Sequence, residues 1–158
     1  MDAVLYGHFQ NKDAIIDAVA VQGFAELAAV MRAARQQAQD TRAALLAVAG
    51  SYLTFAQANP ALYEAMFTLA DLPFTQPGKP APLVEGFAEL CQALAPLAGD
   101  RDLGTLAEVT WSTLHGLATL THNHRLRPGH DEQRLALLIR QLVTAPGLPE
   151  HEPGRQAV

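Results

Sequence analysis

The run NKDAIIDAVAVQGFAELAAVMRAARQQ, Asn11–Gln37, decides the fold class. Ile16, Val19, Gly23, Leu27 and Val30 recur at intervals of three and four, the spacing of one stripe on an α-helix. Ile15, Phe24 and Met31 widen the stripe, which predicts a helix buried on more than one side. Asn11 has the chemistry of an N-cap, and Asp13 falls in the first turn, where a negative charge suits the helix dipole. The predicted helix starts at Lys12 and runs to about Gln37, where a polar segment, QAQDT, begins.

The rest of the chain repeats this pattern. Asp40 or Thr41 can cap a second helix with the stripe Leu45, Val48, Ala49, Tyr52, Phe55 and Ala56. Asn59-Pro60 breaks it, because the residue before proline is driven out of the helical region. Pro60 then suits the first turn of a short helix holding Leu62, Tyr63, Met66 and Phe67. Ala70–Pro82 contains four prolines and reads as a mobile loop. Leu83, Phe87, Leu90, Leu94 and Leu97 form a fourth helix, which Pro96 and Gly99 should end. Asp102 caps a long fifth helix that is expected to reach about Leu126, with Leu106, Thr110, Leu114 and Leu117 on one face and Trp111, His115 and Ala118 on another. A sixth helix opens near Asp131. Past Ala145 the chain is rich in proline and glycine, and residues 146–158 read as a disordered tail. The expectation is an all-α domain.

Composition narrows the function. The chain has 158 residues, 49% of them hydrophobic and 17% charged, which suits a globular core rather than disorder. A formal net charge of −5 argues against a surface devoted to phosphate backbones. Cys91 is the sole cysteine, so no internal disulfide can form. No leader and no uninterrupted apolar run of transmembrane length is read, so the expectation is a cytoplasmic protein without a membrane partner.

Two motifs go further. LYGHFQNK at Leu5–Lys12, leading into a long helix, resembles the end of the recognition helix in TetR-family transcriptional regulators. SYLTFAQANPALYEAMF at Ser51–Phe67, with Trp111, His115 and Gly116 of WSTLHGL, is similar to the C-terminal domain of a TetR subgroup marked by Trp-x-x-x-His-Gly. The resemblance implies a remnant of a DNA-binding domain in residues 1–11 and an effector-binding and dimerisation domain in residues 12–145. Only Met1–Val4 precede the first motif, whereas a helix-turn-helix takes on the order of 20 residues. Specific operator binding is therefore expected of a chain with the full N-terminal domain and not of this one alone.

The resemblance also implies roles for particular residues. Tyr6, His8 and Lys12 would touch the DNA backbone, Lys12 beside the free N–H groups of a helix start. Tyr52, Phe55, Met66, Phe67, Trp111 and His115 would line a pocket for a small apolar effector, although aromatics at helical spacing also serve as core. Gly116 would permit close helix approach. Leu114, Leu117, Leu135, Leu138, Ile139 and Leu142 would meet a second copy in a homodimer, or close the chain's own core. The function implied is a regulator of the repressor type that releases operator DNA when the effector binds.

Other chemistries find little support. His122 and His124 point about 200° apart on a helix, and His115 and His130 do not join them at one point, so no metal site is expected. Cys91 lies mid-helix with Glu89 nearby, which does not activate a thiol. No phosphate loop, zinc-protease or nucleophile-elbow motif occurs, so neither an enzyme nor a cofactor is expected. The alternative reading is a stand-alone helical module that binds a ligand or dimerises without any DNA function.

Overall fold

In a computed structural model the chain is described over residues 2–72 and 77–144, with side chains described from Asn11 onward. Six α-helices follow in order, with no strand among the described residues. They are α1 (Asp2–Gln37), α2 (Thr41–Ala58), α3 (Pro60–Glu64), α4 (Ala81–Ala98), α5 (Leu103–His122) and α6 (Asp131–Thr144). A π-helical turn, Ala65–Leu69, continues α3. The expected tail, 146–158, lies outside the described residues.

The predicted start of α1 at Lys12 is not observed, because the helix is already running at Asp2. No proline interrupts Asp2–Gln37, and extending a helix gains one hydrogen bond per residue, while a fresh start costs a nucleus. Asn11 is therefore no cap, and Lys12 has no open helix N-terminus beside it. Burial is also one-sided. Ala20, Phe24, Leu27, Ala28 and Met31 are buried, whereas Val19 and Val30 are exposed and Ile15 is 61% exposed. No residue from Asn11 to Val19 is buried, so Ile15 has no packing partner to cover it.

Asn11–Gln37 is long and apolar enough to cross a membrane by length and composition, although Asp13, Asp17 and Glu26 interrupt its apolar run. Its apolar face is instead the wall on which α2 and α4 pack. Gly23 permits the closest approach. A Cβ there would stand 2.6 Å from Met66 Sδ and 2.8 Å from Leu62 Cδ1, so α3 and its π turn lie directly against α1.

In α2 the predicted stripe of Leu45, Val48, Ala49, Tyr52, Phe55 and Ala56 is the buried face. Asp40 caps the helix, accepting the Ala43 N–H at 2.7 Å. Asn59 closes the other end, and Pro60 opens α3. Pro96 does not end α4: it sits exposed inside the helix, which continues to a turn at Gly99 with φ +60°. Being near the end and on the solvent side, it removes one backbone bond without breaking a buried turn. Arg101 closes this end on the carbonyls of Leu97 and Ala98.

Asp102 caps α5 as predicted, its carboxylate accepting both the Thr105 N–H and hydroxyl at 2.8 Å. α5 stops at His122, short of the expected Leu126, where Asn123 caps it and His124 adopts φ +55°. Arg134 of α6 reaches back to the Arg127 carbonyl at 2.5 Å, which ties down the connecting turn.

Leu45, Val48, Met66, Leu94, Thr110, Leu114 and Ile139 are fully buried, so α2, the π turn, α4, α5 and α6 share one core. One charge lies within it. Glu89 of α4 is 3% exposed, and Arg32 and Arg35 of α1 donate their Nε–H groups to its two oxygens at 2.8 and 2.7 Å. Removing one member of a buried ion pair costs about 3–5 kcal/mol, because the other is left unpaired. Both guanidiniums keep some water here, so the lower figure applies. Glu89→Gln is expected to lower the unfolding free energy by about 3 kcal/mol in urea denaturation, and Glu89→Met, which also takes the acceptor from both arginines, should cost at least as much.

Candidate functional site

A cavity of about 310 Å³ opens between α1, α2, α4 and α5. Phe24, Leu27 and Met31 form the α1 wall, and Leu83, Val84, Gly86, Phe87 and Leu90 form the α4 wall. Tyr52, Phe67 and Trp111 complete it, with Lys79 and Glu108 as its charged residues. An apolar lining with a few polar groups suits the body of a small organic molecule.

Phe67 stands at the centre of the aromatic cluster. The wider backbone turn at Ala65–Leu69, closed by the Ala70 N–H on the Ala65 carbonyl at 3.0 Å, carries it inward. Its ring centroid lies 5.1 Å from Phe24, 4.6 Å from Tyr63, 5.0 Å from His115 and 6.0 Å from Trp111.

Behind this cluster runs a chain of hydrogen bonds. Trp111 Nε1 donates to Tyr52 Oη at 3.2 Å; Tyr52 Oη and Tyr63 Oη are 2.7 Å apart, and Tyr63 Oη lies 2.7 Å from His115 Nδ1. Burial pushes the Tyr52 phenol up to about 12 and raises Tyr63 as well, while burial lowers His115 below the ordinary histidine value. Both phenols therefore keep their protons at neutral pH and His115 is uncharged. A second cavity of about 230 Å³ lies beyond, lined by Tyr63, Phe67, His115 and His122 among others. Phe67 lines both cavities and forms part of their partition.

The sequence-predicted pocket residues divide. Tyr52, Phe67 and Trp111 line the first cavity, and His115 borders the second. Phe55 and Met66 are buried core residues that line neither. Tyr63 was missed, since its link to Tyr52 forms across the Asn59-Pro60 turn, which helical periodicity does not describe. Periodicity does not mark the α1 and α4 linings, because their spacing is that of any buried stripe.

The proposed interface residues also divide. Leu114 and Ile139 are fully buried within the chain, so they offer no surface to a second copy. Leu117, Leu135, Leu138 and Leu142 are half-buried. On α5 the exposed apolar residues are instead Val109 and Leu120, with Leu137 exposed on α6. Gly116 has open space where a Cβ would stand, so it accommodates no close helix within this chain. Tyr6 and His8 fall on the helical backbone of α1, and Lys12 is exposed.

No group of three or more His, Cys, Asp or Glu able to hold a metal occurs among the described residues. Cys91 is half-buried, and burial pushes its thiol up, away from the reactive thiolate.

Comparison with known proteins fits this architecture. Residues 45–145 match the family described as Tetracyclin repressor-like, C-terminal domain. No curated protein matches. A solved structure of a protein with unknown function from Rhodococcus sp. RHA1 superposes with a TM-score of 0.68 at 27% identity, over 84% of this chain and 71% of that one. With most of its length matched, from α2 through α6, the chain belongs to the tetracyclin repressor-like C-terminal domain family.

Proposed function

We propose that this chain is the effector-sensing body of a cytoplasmic TetR-type transcriptional repressor, and that the cavity between α1 and α4 holds a small, largely apolar effector. The observation that carries this reading is the shared wall. Phe24, Leu27 and Met31 of the cavity belong to the same unbroken helix that carries Tyr6, His8 and Lys12 at its other end.

In a regulator with a complete DNA-binding domain, those three residues contact the phosphate backbone and set register rather than sequence choice. An effector that binds one arrangement of α1 and α4 better than another shifts the population toward it, and operator DNA is released. The Glu89 clamp makes the two walls respond together, since α4 cannot slide along α1 without uncovering a buried charge.

Dimerisation fits the exposed side of α5. Val109, Thr113, Gly116, Leu117 and Leu120 recur at intervals of three and four, and Gly116 leaves room for another backbone to come close. A second copy, related by a two-fold axis that a palindromic operator would mirror, covers this stripe.

Two outcomes check the reading. Trp111 is the sole tryptophan and lines the cavity, so 1-nitronaphthalene should quench its fluorescence saturably. Gly86 lines the cavity with nothing near a would-be Cβ, so Gly86→Leu should fill the space and turn saturable quenching into a linear collisional response. Linear quenching of the unaltered chain would count against an effector cavity. For the dimer, Leu120→Glu should convert the species seen by sedimentation velocity from twice the chain mass to the chain mass without loss of helicity. A persistent dimer would place the interface elsewhere.

A further inference from the structure

The chain of hydrogen bonds from Trp111 to His115 has a direction, and its direction depends on a proton. Indole nitrogen only donates, so Tyr52 Oη accepts from Trp111. With His115 neutral and its proton on Nε2, Nδ1 accepts from Tyr63, and Tyr63 accepts from Tyr52. Every hydroxyl proton is then used. Tyr52 keeps one unused lone pair, and its residue lines the cavity beside Trp111. In this state it can accept from a bound molecule but cannot donate to it.

A proton on Nδ1 lets the chain run the other way. His115 then donates to Tyr63, Tyr63 donates to Tyr52, and both Tyr52 lone pairs are occupied. The Tyr52 proton is left over, and a buried donor without a partner is costly. A ligand with an acceptor at that wall removes the cost, whereas a ligand with a donor adds to it.

We propose that His115 is a specificity-determining residue acting through Tyr63 and Tyr52, which sets whether the cavity takes an aromatic ligand by a hydrogen-bond donor or by an acceptor. The proposal rests on the effector cavity argued above. The neutral state selects ring compounds that carry an N–H or O–H; protonation selects carbonyl-bearing ones. His115 is placed for this, because it borders the second cavity, away from the ligand. The titratable groups around it are Tyr63 and Glu64 of α3, Tyr52 of α2 and His122 of α5; Glu64 and His122 are exposed, and the π turn contributes only Phe67 and Thr68. Burial favours the neutral ring, and with its proton on Nε2 the neutral ring gives the donor-selecting state.

Linkage is reciprocal, so an acceptor ligand must also raise the affinity of His115 for its proton. The test uses three probes of one shape that do not titrate near neutrality: indole (donor), 1-indanone (acceptor) and indene (neither). Isothermal calorimetry on the full chain at pH 8 and pH 5.5 is expected to show 1-indanone gaining about fivefold over indene on acidification while indole loses ground. Tyr63→Phe cuts the relay and should make both ratios independent of pH. In parallel, the imidazole NMR titration of His115 should move to higher pH with 1-indanone and not with indene. Binding of all three probes with pH-independent ratios would overturn the relay and leave the cavity reading standing. Failure of all three to bind, with no ligand shift of the His115 titration, would overturn both.

Discussion

Glu89 is a carboxylate inside a helical bundle, and the packing of α1 on α4 is arranged around what that requires. An ion removed from water needs its charge met and its lone pairs filled. Arg32 and Arg35, three residues apart, come from one face of α1 and take one oxygen each. Neither helix can rotate or slide without breaking that geometry. The clamp therefore sets the register of the two helices, and their separation toward the π turn becomes the cavity rather than more core.

A second constraint works at the other end of the cavity. Gly23 lets Leu62 and Met66 approach α1 more closely than any side chain would permit. The π turn that follows sets Phe67 among Phe24, Tyr63, Trp111 and His115. Close packing below and a charge clamp beyond leave a lined space between them. The same packing buries Tyr52 and Tyr63 and obliges their hydroxyls to find partners within the protein. The relay to His115 is thus a consequence of how tightly α2 and α3 are held.

Much of this was legible in the sequence. Side-chain caps at Asp40 and Asp102, the Pro60 start of α3 and the α2 stripe all followed from local chemistry, and the structure has them. Local chemistry failed where tertiary context decided. Asn11 could cap a helix but sits within one, and Ile15 and Val19 are apolar residues with no surface to pack on. Leu114 and Ile139 share a periodicity with interface residues, but periodicity cannot say which neighbour fills the face, and the chain's own core does. Trp111 and His115 stand out through the Trp-x-x-x-His-Gly resemblance rather than through periodicity. Tyr63 did not, since its role exists only once two helices are brought together. The arginines that pair with Glu89 lie more than 50 residues away, beyond any local pattern.

Because α1 forms one wall of the cavity, its occupancy is felt along that helix. Hydrogen exchange measured by mass spectrometry, with and without saturating 1-nitronaphthalene, tests this most directly. Exchange should slow in the α1 segment from Ala20 to Met31 and in α4 from Leu83 to Leu90, and should also change toward the N-terminal end of α1, beyond any ligand contact. Protection confined to α4 and α5, with α1 exchanging as it does in the free chain, would contradict the coupling.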